Sequence, residues 1–87
     1  MNRHTSHQFP AIRLVVNGRR KYRLVKTVRD AAEALLSDWP CQDGEQYMIA
    51  VQACLVAFYD VVPPEVVRDA LIRAANEDSV PHISLVS

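Results

Sequence analysis

The stretch AIRLVVNGRRKYRLV, Ala11 through Val25, decides the fold. It holds two alternating segments around Asn17-Gly18. Ile12, Leu14 and Val16 fall on one side of the first segment, Arg13 and Val15 on the other. In the second, Tyr22 and Leu24 alternate with Lys21 and Arg23. A period of two marks a strand half-buried on one face. Asn-Gly between two such runs is the strongest short signal for a hairpin.

Parity selects the loop. A two-residue loop at Asn17-Gly18 pairs Val16 with Arg19, Leu14 with Lys21 and Ile12 with Arg23. Cross-strand partners share a face, so that register sets three cations on the apolar side. A three-residue loop, Val16-Asn17-Gly18, places Ile12 opposite Tyr22 and Leu14 opposite Arg20. Gly18 then takes the left-handed position of a bulged turn. A loop of residues 17–19 keeps the same faces. Either way Ile12, Leu14, Tyr22 and Leu24 are predicted to face the core, and Arg13, Lys21 and Arg23 to face water.

Thr27 opens a helix as its cap, with Asp30 three residues on in a capping-box-like place. Val28, Ala31, Ala32, Leu35, Leu36 and Trp39 form its apolar stripe, and Pro40 ends it. Asp43 is the expected cap of a second helix, roughly Gly44 to Tyr59, whose core face is read as Tyr47, Val51, Cys54, Leu55 and Phe58. The opposite face carries no charge. It offers Met48, Ile49, Gln52, Val56 and Tyr59, so this helix must be covered on nearly all sides. The hairpin and the first and third helices are expected to wrap it. Pro64 suits the first position of the third helix, which runs to about Asn76 with Val66, Val67, Ala70, Leu71 and Ala74 inward. His82 to Val86 alternates and reads as a possible short C-terminal third strand. The fold class is therefore α+β, an N-terminal antiparallel β-hairpin packed on three helices. Residues 1–10 read as a flexible tail and residues 11–87 as a single domain.

Eighty-seven residues allow one domain with a thin stability margin. The longest mostly apolar stretch, Tyr47 to Val62, is shorter than a membrane span and is interrupted by Gln52 and Asp60. Met1 to Pro10 lacks the apolar core of a secretion signal, so a cytoplasmic location is expected, with no membrane partner. There Cys41 and Cys54 remain thiols. The formal net charge is +0, yet it is partitioned. Residues 1–29 hold eight basic groups and no acid, whereas residues 30–87 hold Arg68 and Arg73 against ten acids. Asymmetry of this kind points toward partners.

Three segments resemble the domain-of-unknown-function family 982, short proteins of soil and plant-associated bacteria. They are Val28 to Pro40 with its LLxxWP element, Tyr47 to Cys54, and Pro64 to Ala75. The resemblance spans about residues 11–80. It implies the fold and a cytoplasmic location and carries no activity. One departure is Pro63 before Pro64, where a hydroxyl cap is usual. The start of the third helix should be less well held, by about 1 kcal/mol.

Catalytic and metal chemistry find little support. His4 and His7 lie in the tail, and only His82 stands elsewhere, short of the three or four convergent ligands of a zinc site. A Cys41/His82 nucleophile is opposed by Asp43 and Glu45. With only Gly18 and Gly44, no glycine-rich phosphate loop exists. No enzyme activity, metal or cofactor is expected. Two binding readings remain. One is a protein-interaction module. It self-associates through Met48, Ile49, Gln52, Val56 and Tyr59, or meets an acidic partner, a second copy included, through the hairpin. The alternative is weak, sequence-indifferent nucleic-acid binding through Arg13, Arg19, Arg20, Lys21 and Arg23. In the register above Tyr22 points inward, so that ribbon has no stacking platform.

Overall fold

The computed structural model describes residues 7–16 and 21–84. Strand β1 (Gln8–Val16) is central in a three-stranded antiparallel sheet of order β2-β1-β3, with β2 at Lys21–Thr27 and β3 at His82–Ser84. Helix α1 (Val28–Glu33) follows β2 directly and continues into a π-helical turn, Ala34–Asp38. Helices α2 (Glu45–Phe58) and α3 (Pro64–Glu77) complete the fold. The α+β class, the hairpin and the short third strand agree with the sequence reading.

The register does not. Ile12 pairs with Val25, Leu14 with Arg23 and Val16 with Lys21, so the connection comprises residues 17–20. The expected three-residue loop is replaced by an even one. The conformation expected of Gly18 lies outside the described residues. An even connection turns β2 over relative to the prediction. Val25 is fully buried beside Ile12 and Leu14, while Tyr22 and Leu24 face outward. Arg23 lies on the helix side of the sheet instead of in open water. It is tolerated there because the Arg23 Nε donates to Asp38 Oδ2 at 2.7 Å, with Glu33 Oε1 3.7 Å from Nη1. A cation at the sheet margin that meets two carboxylates does not incur the cost the parity rule assigns to it.

Strand β1 begins at Gln8, inside the stretch read as tail. Its register against β2 shifts between Gln8 and Ile12, a bulge that includes Pro10. Proline has no amide hydrogen to lose at such a place, and its carbonyl accepts from Arg68 Nε at 2.9 Å. The bulge lets Phe9 join Ile12 and Leu14 in the core.

Thr27 caps α1 as expected, its Oγ1 accepting from the Asp30 amide at 3.0 Å. The Asp30 carboxylate reaches back to the Lys26 amide, at 3.2 Å, one residue before the cap. Trp39 leaves the helix in an extended conformation before Pro40 and is buried, and its indole Nε1 donates to Asp78 Oδ2 at 2.8 Å. The cap of α2 is not Asp43. Gly44 holds that position, with no side-chain bond of its own. Glu77, at the far end of α3, supplies the acceptor: its Oε1 takes the amides of Gln46 at 3.0 Å and Tyr47 at 3.3 Å. As the sequence implied, Pro63 gives α3 no side-chain cap.

The packing order also differs from the expectation. Helix α3, not α2, is in the middle. It packs on β1, on α1 and most extensively on α2, while α2 packs on α3 and α1 rather than on the sheet. One flank of α2 is covered and the other is open.

Candidate association surface

The covered flank of α2 is Tyr47, Ala50, Ala53, Cys54 and Ala57, and this helix packs most extensively on α3, whose buried residues include Ala70, Ala74 and Ala75. Three of the five buried α2 side chains are alanines, which lets a neighbouring element pack closely on that flank. Burying the alanines turns the larger residues outward. Leu55 and Phe58, expected in the core, are exposed, as are Leu36 and Val66, while Ala32 and Val51 are only half-buried.

The open flank of α2 is continuous. Met48, Leu55 and Tyr59 keep 47%, 56% and 74% of their surface, with Ile49 and Phe58 exposed beside them. Gln52 is exposed and Val56 half-buried on the same flank. The five residues predicted for self-association therefore lie on one face, four of them exposed. Sequence reasoning missed Leu36, Leu55 and Phe58, which extend this face. The available signal was the alanine run, Ala50, Ala53 and Ala57, which marks the close-packed side. Residues 46–59 hold no charged side chain.

Beside this face is an apolar groove of about 180 Å3 between the π-helical turn and α2, lined by Leu35, Leu36, Val51, Cys54, Leu55 and Phe58. Leu35, which lines it, is tied to α2 by Tyr47, whose hydroxyl donates to the Leu35 carbonyl at 2.9 Å inside the core. Burial pushes the Tyr47 phenol up from its ordinary value. At one end His7 closes over Phe58, ring edge to ring face with centroids 5.9 Å apart, and its Nε2 lies 2.9 Å from Asp60 Oδ1.

The predicted basic face is divided. Arg13 is exposed on the outer side of the sheet, while Arg23 lies half-buried on the inner side against Asp38. Lys21 pairs with Val16 through the backbone, and Arg19 and Arg20 lie outside the described residues. Cys41 and His82 have separate partners. The Cys41 thiol donates to Asp43 Oδ1 at 2.7 Å, a bond that raises its pKa, and His82 Nε2 pairs with Asn76 Oδ1 at 3.1 Å. Burial pushes the Cys54 thiol up to about 11. Both cysteines are free. Among the described residues no three potential metal ligands converge, and no helix is long and apolar enough to cross a membrane.

A three-stranded antiparallel sheet backed by α1 and α3, with α2 as an outer layer, defines a small α+β domain. The chain matches the family described as "Protein of unknown function (DUF982)" over residues 10–81, and it belongs to that family. Neither a curated protein nor a solved structure matches it.

Proposed function

We propose that this protein is a non-enzymatic cytoplasmic interaction module that works as a homodimer through the open flank of α2. The observation that carries the reading is the inversion of this helix. It buries Ala50, Ala53 and Ala57 and exposes Met48, Ile49, Leu55, Phe58 and Tyr59. Fully burying a large apolar side chain is worth about 1.5–3 kcal/mol, so a chain with a thin margin leaves much stabilisation unused on this flank. Interface cores are depleted in charge and enriched in aromatic residues and methionine, and residues 46–59 have that composition. A second copy offers the same uncharged face, and isologous pairing about a two-fold axis is the commonest way in which such a face is covered.

The test is the concentration dependence of thermal unfolding, because the stability of an obligate dimer depends on protomer concentration. The melting temperature should rise across about a hundredfold range of protein concentration. It should be independent of concentration in Leu55→Glu. A wild-type melting temperature that does not move with concentration contradicts the reading.

A further inference from the structure

The face of the sheet turned away from the helices carries a second, independent feature. The even register places Arg13 between Ile83 of β3 and Leu24 of β2 in one cross-strand row, and Val15 beside Tyr22 in the next. Tyr22 keeps 67% of its surface, and Leu24, Ile83, Arg13 and Lys26 are exposed with it. The Arg13 guanidinium lies 5.6 Å from the centroid of the Tyr22 ring. No acidic residue occurs in β1, β2 or β3. At the end remote from Tyr22, Asp30 Oδ2 accepts from the Lys26 amide at 3.2 Å, and Glu65 lines a crevice with Lys26, Gln8 and Pro10.

An exposed aromatic ring on an open antiparallel sheet, beside a guanidinium and with a second cation farther along the same face, matches the requirements of one ligand chemistry. Unstacked bases stack on aromatic rings whatever their sequence, and cations beside the ring take the phosphates. A duplex keeps its bases stacked on one another and presents only its backbone to such a face. We propose that the outer face of the sheet binds single-stranded nucleic acid, with Tyr22 as the stacking platform and Arg13 and Lys26 on the backbone. Arg23 takes no part, because it lies on the opposite side against Asp38. Interaction with an acidic protein would use the cations and leave the ring idle, and the experiment separates the two.

The probe is a fluorescein-labelled oligothymidylate of about 20 nucleotides, followed by anisotropy at about 50 mM salt, with polyglutamate and a duplex as competitors. Tyr22→Thr removes the ring and keeps a strand-forming residue, Tyr22→Phe keeps the ring, and Leu24→Thr is the matched control on the same face. Saturable binding should weaken about fivefold or more in Tyr22→Thr and stay within about twofold of wild type in Tyr22→Phe and Leu24→Thr. Arg13→Ser should reduce the log–log salt slope by about 0.7. The proposal is overturned by no saturable binding up to about 100 μM, or by equal binding in Tyr22→Thr. Equal loss in Tyr22→Thr and Leu24→Thr, or displacement by polyglutamate as effective as by unlabelled oligothymidylate, overturns it as well.

Discussion

Arg23 Nε donates to Asp38 Oδ2 at 2.7 Å, fastening the edge strand β2 to the end of the π-helical turn. Both side chains are more than two-thirds buried. The bond decides which face of β2 is wet. With Arg23 held on the helix side, Val25 enters the core, and Tyr22 and Leu24 turn to solvent.

Removing either partner should therefore destabilise the domain, and removing both should cost less than the sum. A charge-assisted hydrogen bond of this exposure contributes about 1–2 kcal/mol. A double-mutant cycle of Arg23→Ala and Asp38→Ala, followed by urea unfolding, should give a coupling energy of about 1 kcal/mol. Full additivity would show that the pair does not hold the strand.

Gly44 is required by a close approach rather than by backbone conformation. Its φ of −76° is open to any residue, but a Cβ there would overlap the Glu77 carboxylate that caps α2. Gly44→Ala must displace that carboxylate from the Gln46 and Tyr47 amides. Loss of a cap costs about 0.5–2 kcal/mol. Glu77→Ala should cost a similar amount, and the double variant little more than either alone, measured by denaturant midpoint.

Trp39 is buried and hydrogen-bonded to Asp78, so it joins the end of the π-helical turn to the end of α3. Trp39→Ala should destabilise by about 3–5 kcal/mol. Asp78→Ala, which leaves the indole N–H unpaired, should cost about 1–3 kcal/mol. If Asp78→Ala is silent in thermal unfolding, the indole bond is not part of the fold's stability.

The two thiols should both react slowly, for different reasons. Cys54 is buried with its pKa pushed up to about 11, and Cys41 is exposed but donates to Asp43. With a thiol-specific reagent near neutral pH, Cys41 should label more slowly than free cysteine, and Asp43→Asn should speed it. Cys54 should label only on unfolding. The sign of its effect on stability follows from the direction of the shift. The folded state holds the proton more tightly than the unfolded chain, so stability is full below the unfolded value of 9.0 and falls as the pH rises toward about 11. Cys54→Ala should flatten that alkaline loss.

Local signals were legible where a single residue type has a single physical consequence. Thr27 caps, Pro40 stops and Pro64 starts a helix as the sequence implied. Two of the features that were not legible depend on distant residues. The parity rule assigns Arg23 to water unless an anion waits on the other side. That anion, Asp38, stands fifteen residues on, where nothing in the hairpin announces it. On α2, hydrophobicity ranks Leu55 and Phe58 above Ala50, Ala53 and Ala57 for the core. The packing of α2 on α3 and α1 reverses that order: the alanine flank is the one covered, and Leu55 and Phe58 are left exposed. Of the candidate surfaces, the apolar flank was visible as an uncharged run. The exposure of Tyr22 was not legible, because the three-residue loop aims its ring inward.

The proposed dimer depends most on what covers Met48, Leu55 and Tyr59. Sedimentation equilibrium at about 10–100 μM protein measures this without a label or a partner. Wild type should give twice the chain mass of 9.8 kDa, and Leu55→Glu, placed in the centre of the open flank, should give 9.8 kDa. A wild-type mass of 9.8 kDa throughout that range would contradict it.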